Sequence, residues 1–472
     1  MAAGSTLTLA SPASPTEGDK LTFHWTTTAA DPKNWVGIYD GTRQPGTGSS
    51  LLWKYTPGAS GDIQLDTSAL TGGPYTAYLL AKDGYGILAQ TAPFTFRPKP
   101  APVRPHLAVD ALTATAVAPG GAVSVKLGGL WCRAAGAPAF RKISGPSWLA
   151  VAADGTVTGT APAGTAEVQV LVGVKDTGGV TDALTLTVPV VDPAAPLRLK
   201  TAAWNLANAG AAFTDAPEKQ LRTILTQGLD VLALLETAGT AAQSLATALG
   251  WYAYQSAGSV GILSRYPLSA VTAVTTALPA AGATVQLPGG RGVRFWAAHL
   301  DEAAYGPYAV QDGQSAAQVE AAETASVRGR QAGALAAAVQ ADVAAGRAVL
   351  LGADLASPSH LDWTAAAAPA HGGTGPVNWP VTVALQGAGL ADSYRRAHPD
   401  PVASPGNTWS PVRKQRGAKP EPQDRIAAVH CAGPLTLVEA HTLTTGWPQP
   451  DPNAAANGWP SDCAAAVATF QL

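Results

Sequence analysis

From Leu197 onward, polar residues stand where apolar runs stop. Asn205 closes LRLKTAAWN, Glu236 closes DVLALLE, His299 closes VRFWAAH and Asp354 closes AVLLGAD, with Asp462 near the C-terminal end. A carboxylate beside an amide oxygen suits a hard Mg²⁺ or Mn²⁺ ion, which prefers oxygen donors. An aspartate and a histidine close to such an ion suit activation of water and protonation around a phosphodiester. Taken singly, each of these residues reads equally well as a solvated strand end.

The elements that carry them alternate. Strand-like runs such as VLALLE, VGILSR, VRFWAAHL and AVLLGADL are separated by Ala-rich helical segments such as EKQLRTILTQ and AAQSLATAL. Mixed strands and helices over residues 197–472 point to a layered α/β domain, and strand ends meeting at one edge are where such domains place their sites. The earlier chain reads differently. Residues 1–97 hold short alternating runs (TLTLAS, KLTFHWTT, NWVGIYD, LLWKYTP) broken by Gly, Pro and Asp, the pattern of a β-sandwich. Residues 106–193 repeat it in VSVKLGG, GTVTGTA, EVQVLVGVKD and DALTLTVPVV, after a Pro-rich linker over 96–105. Trp25, Trp35, Tyr75 and Tyr85 are candidates for a carbohydrate platform, although filling the core and corners of the sandwich is the favoured reading.

Composition narrows the partners. Thirty basic against 32 acidic residues leave a net charge of −2, so no global cationic field holds a polyanion. That counts against a strong nonspecific nuclease, not against a small phosphodiester. Three cysteines, Cys132, Cys431 and Cys463, lack metal-ligand spacing and are expected to be free thiols. The N-terminus MAAGSTLTLASP has neither the charged nor the apolar region of a signal peptide, and no apolar run reaches membrane-spanning length. Compartment stays open: tandem sandwiches suit a cell surface, and unpaired cysteines suit the cytoplasm. A monomer is expected.

Order and spacing add a resemblance. Thr201–Asn205, Asp230–Glu236, Gly261-Ile-Leu-Ser-Arg265-Tyr-Pro267, Trp296-Ala-Ala-His299, Tyr305-Gly-Pro-Tyr308, Gly352-Ala-Asp354 running to Trp363, Asp424-Arg-Ile and Trp459-Pro-Ser-Asp462 follow one another along the chain. This series resembles the endonuclease/exonuclease/phosphatase superfamily, which implies a DNase I-like four-layer α/β sandwich. The resemblance assigns Asn205 and Glu236 to the metal, and Asp354, His299 and Asp462 to catalysis. It assigns Arg265, Tyr305 and Asp424 to the substrate or its phosphate. It implies a Mg²⁺- or Mn²⁺-dependent hydrolase of a phosphorylated small molecule, lipid headgroup or nucleic acid.

Three positions depart from the family pattern. Ala356 stands where an asparagine contacts phosphate, Ala427 where an aspartate orients the terminal histidine, and Cys463 where that histidine belongs. Activity is therefore expected to be weak or lost, and a ligand-binding pseudoenzyme is the alternative. The basic run Arg413, Lys414, Arg416 and Lys419 is a candidate phosphate-greeting loop, with a solvated loop preferred. Asn34–Tyr39, Trp53–Tyr55 and Asp83–Tyr85 resemble an immunoglobulin-like domain found ahead of secreted metallophosphoesterases. Pro146–Leu149 with Gly155–Gly159 resembles immunoglobulin/cadherin-like modules of bacterial surface proteins. These modules imply a carbohydrate or protein partner, so an adhesion protein is a further reading.

Overall fold

The computed structural model describes residues 4–41, 43–99, 104–133 and 136–472, so part of the Pro-rich linker lies outside the described residues. The chain divides into two compact units, Met1–Ala101 with Thr445–Trp459, and Pro102–Thr444 with Pro460–Leu472. The second β-rich segment thus shares a compact unit with the C-terminal domain.

In the first unit, β1 (Thr6–Ser11), β2 (Leu21–Thr26) and β5 (Ser60–Leu65) form one sheet. β3 (Trp35–Asp40), β4 (Leu52–Tyr55), β6 (Tyr75–Ala81) and β7 (Gly86–Gln90) form a second, in the order β4-β3-β6-β7. Alternation along each strand decides what is buried. Phe23 and Trp25 of β2 meet Val36 and Ile38 of β3 and Ala77 and Leu79 of β6 in one core. Trp35, Tyr39, Tyr78 and Leu80 point the other way and form a separate aromatic cluster on the outer face. Trp25 therefore fills the core, whereas Trp35 does not belong to it.

In the second unit, the segment 104–193 is strand-rich. Its larger sheet runs Pro138–Ser144, Val168–Asp176, Thr181–Val188, Ala111–Thr113. It is tied to the helix Ala216–Thr226 by ion pairs: Glu218 meets His106 at 2.9 Å and Arg133 at 3.3 Å, and Arg133 also meets Asp215.

The remainder is built on two six-stranded sheets packed face to face. Leu199, Ala203, Val231 and Ile262 of one sheet meet Val293, Phe295, Leu350 and Val429 of the other, all essentially inaccessible to solvent. The outer face of the second sheet carries Trp296, Leu351 and Ala353 against Leu335 and Val339 of the helix Val327–Ala344. On the first sheet lie the helices Ala216–Thr226 and Ala241–Leu249, the latter burying Ala242, Leu245 and Leu249. Small residues let the sheets approach: a β-carbon at Gly352 would lie 2.7 Å from that of Ala233. This is the DNase I-like layering expected from the sequence.

Candidate active site

The strand Arg198–Asn205 pairs in parallel with Val231–Leu235, and Gly292–His299 pairs in parallel with Val349–Asp354. Parallel pairing brings the C-terminal ends of each pair to one edge, so Asn205 sits beside Glu236 and His299 lies opposite Asp354. Antiparallel strands complete the same edge by starting there. Ala427 is the register partner of Asp354, and Cys463 precedes the strand Ala465–Gln471 that runs back along Arg198–Asn205. The result is a cleft of about 600 Å³ whose lining includes Asn205, Glu236, His299, Asp354, Asp462 and Cys463.

Asn205 organises the acidic side. Its amide nitrogen donates to Glu236 Oε1 at 2.7 Å and to Asp354 Oδ2 at 2.9 Å, while its oxygen accepts from the Ala207 N–H at 2.8 Å. Asn205 thus joins two carboxylates across the cleft, and the left-handed backbone at Ala207–Ala209 aims an N–H at its oxygen. Glu236 also accepts from the Asn208 N–H at 2.9 Å. Glu236 and His299, both named from the sequence, are joined here by Glu302, which was not. Glu236, His299 and Glu302 bring donor atoms within 4.8 Å of one another. His299 Nδ1 lies 3.0 Å from Ser259 Oγ, which leaves Nε2 for the cleft. Glu302 gave no signal beyond its position three residues after His299, because it lies in a loop rather than at a strand end.

Asp354 is 3 % exposed and accepts from the Ala356 N–H at 3.0 Å. Asp462 pairs with Arg413 at 3.2 Å; burial raises its carboxyl above the ordinary range in spite of that partner. Burial, followed by the carboxylates of Asp462, Asp354 and Glu236, pushes the Cys463 thiol well above its usual pKa. A thiol held protonated in this way is no nucleophile. His430 does not line this cleft. It lies on the opposite face of its strand from Ala427 and lines a separate pocket with Asp392.

The expected substrate residues separate. Tyr305 lines the cleft and donates to Asp424 Oδ2 at 2.8 Å. Asp424 is a support behind it, 3 % exposed, also accepting from Trp363 Nε1 at 2.8 Å and pushed up by burial to about 6. Arg265 lies away from the cleft, against the substrate role expected of it. Its strand, Val260–Ser264, runs antiparallel to Val231–Leu235, with Ser264 opposite Val231. That register carries Arg265 to the far edge of the sheet, where it pairs with Asp230 at 3.4 Å and stacks over Trp251. Of the basic run, Arg413 lines the cleft, whereas Arg416 and Lys419 pair with Asp312.

A family model described as the Endonuclease/Exonuclease/phosphatase family matches residues 202–462, more than half of the chain, and the chain belongs to that family. An uncharacterized protein of Caenorhabditis elegans, F14F9.5, is 31 % identical over 290 residues, which span 58 % of this chain and 91 % of that protein. Among solved structures, an endonuclease/exonuclease/phosphatase from Beutenbergia cavernae shares 18 % identity at a TM-score of 0.36, covering 59 % of this chain and 72 % of its own. The inositol polyphosphate 5-phosphatase domain of a synaptojanin, solved with inositol (1,4)-bisphosphate and calcium ion, shares 12 % at a TM-score of 0.32, covering 59 % and 84 %.

Proposed function

We propose that the cleft binds a divalent cation together with a phosphorylated ligand, and that phosphoester hydrolysis there is weak or lost. One observation carries this reading: Asn205, Glu236 and Asp354 remain joined by hydrogen bonds, while positions 356, 427 and 463 offer no carboxamide, carboxylate or imidazole. Glu236, His299 and Glu302 would hold the ion, and an imidazole among the donors favours Mn²⁺ over Mg²⁺. The ion, when bound, polarises a phosphoryl oxygen. Asp354 is the group placed to take a proton from water. No group paired like the family's aspartate and histidine returns a proton to the leaving oxygen, and such a loss costs on the order of 10²–10⁴ in rate. The N-terminal β-rich segments are proposed to be immunoglobulin-like modules with a carbohydrate or protein partner of their own.

The test is titration of the protein with Mn²⁺, followed by electron paramagnetic resonance, beside hydrolysis of bis-p-nitrophenyl phosphate. Expected are binding that Glu236→Gln and Glu302→Gln each weaken, and turnover near the uncatalysed rate. Fast, metal-dependent turnover abolished by Asp354→Asn would overturn the pseudoenzyme half of the proposal. Mn²⁺ binding unchanged in both glutamine variants would overturn the metal half.

A further inference from the structure

The outer face of the β4-β3-β6-β7 sheet holds an aromatic cleft unrelated to the phosphoester site. β4 pairs with β3 so that Trp53 lies opposite Gly37 and Tyr55 opposite Trp35, which puts both β4 aromatics on the outer face. They stay in solvent there: Trp53 is 55 % exposed, Tyr55 44 % and Tyr85 54 %. Such a concentration of half-exposed aromatic rings is costly in water and marks a binding surface.

The rings are fixed rather than loose. Trp35 packs edge-on against Trp53 at 6.1 Å and against Tyr85 at 6.2 Å, and Trp53 packs edge-on against Tyr55 at 5.1 Å. Gly37 makes room for this arrangement, since a β-carbon there would lie 2.6 Å from the Trp35 ring. Trp35 Nε1 donates to Gly84 O at 3.1 Å. Tyr85 follows a tight turn in which Lys82 and Asp83 both take positive φ, and that turn is tied to the start of β3 through the bond from Asp83 N to Lys33 O at 3.0 Å. Trp35, Trp53, Tyr55 and Tyr85, with Ser49, Ser50 and Asp83, enclose about 430 Å³, within the range of a small-ligand site.

We propose that this cleft binds a neutral sugar ring of a glycan. Aromatic faces stack on the C–H faces of a pyranose, and hydroxyl and carboxylate groups at the rim match its hydroxyls. Aromatic cages also take quaternary ammonium groups, drawn by the ring faces and strengthened by nearby negative charge. Here both oxygens of Asp83 are engaged, one by Lys33 Nζ and the other by the Tyr55 hydroxyl, each at 2.7 Å. The lysine ammonium cancels the charge that would attract a second cation. That arrangement disfavours a cationic ligand and suits a neutral one.

The test uses the full chain on a glycan array, followed by titration of the best neutral oligosaccharide with tryptophan fluorescence as readout. Choline, a trimethyl-lysine peptide and a proline-rich peptide are run beside it. Expected is binding of a neutral glycan that Trp53→Ala and Tyr85→Ala each weaken about tenfold or more. Both variants are expected to keep the parent's circular dichroism, because both side chains are about half exposed and stand outside the sandwich core. Capture of choline, the methylated peptide or the proline-rich peptide in place of glycans would overturn the proposal, as would glycan binding indifferent to both variants or no glycan binding at all. Asp354→Asn is expected to leave glycan binding untouched, which separates this outcome from that of the phosphoester cleft.

Discussion

With φ at 46°, Ala356 holds a left-handed conformation that costs an L-residue about 1–2 kcal/mol and that asparagine visits more readily. The backbone there has a geometry suited to the asparagine that the proposed family pattern places at this position. Ala356→Asn is expected to stabilise the protein by up to about 1 kcal/mol, read as a rise in the urea midpoint, and not to restore activity alone. Glu236, at φ 53°, shows the same strain beside the same cleft, a concentration typical of functional sites. Installing Ala356→Asn, Ala427→Asp and Cys463→His together is expected to raise hydrolysis of bis-p-nitrophenyl phosphate by about 10² or more. No gain from the triple variant, with the fold intact by circular dichroism, would mean that the cleft has drifted beyond three side chains.

Between elements, the loops behind the cleft are locked by a buried charge network. Arg425 pairs with Asp362 at 2.9 Å and with Asp392 at 2.7 Å, and Arg395 pairs with Asp362 at 2.5 Å. Removing one partner of such a network leaves a buried charge uncompensated, so Arg425→Met is expected to cost about 3–5 kcal/mol at neutral pH, measured by urea unfolding. Burial opposes ionisation of Asp392, yet Arg425 outweighs it and holds the carboxyl down to about 2. Its folded pKa lies below the unfolded value near 3.9, so the stabilisation is full above that value and disappears as pH falls toward about 2. The penalty of Arg425→Met is accordingly expected to shrink across that window. A penalty independent of pH down to 2 would contradict the pairing.

Over the whole molecule, the joint between the second β-rich segment and the α/β domain turns on Glu218. It is 7 % exposed and shared by His106, Arg133 and Arg222. Burial raises its carboxyl, and the bonds from His106 and Arg222 more than reverse that, leaving it below its ordinary value. Glu218→Ala is expected to cost about 2–3 kcal/mol, because charged donors lose their acceptor, with thermal unfolding as the check. At a net charge of −2, duplex DNA is expected to bind weakly and without the steep salt dependence of a basic groove, as a filter-binding series across salt concentrations would show.

What the sequence by itself determined was whatever depends on local order. Apolar runs ending in Asn205, Glu236, His299 and Asp354 set both the strand ends and the site edge, because parallel pairing aligns C-terminal ends. The residues at 356, 427 and 463, on which the proposal of weak or lost hydrolysis rests, were legible as identities. Tertiary structure decided what depends on direction and on neighbours. Antiparallel register sent Arg265 to the far edge, the Asn205 amide came to join Glu236 and Asp354, and a loop brought Glu302 to Glu236 and His299. Strand alternation hinted at two faces in the first unit. Only the packing showed that Trp25 goes inward while Trp35 joins exposed Trp53 and Tyr85 outside. A linear pattern records which residues share a face, and the second sheet determines which face is covered.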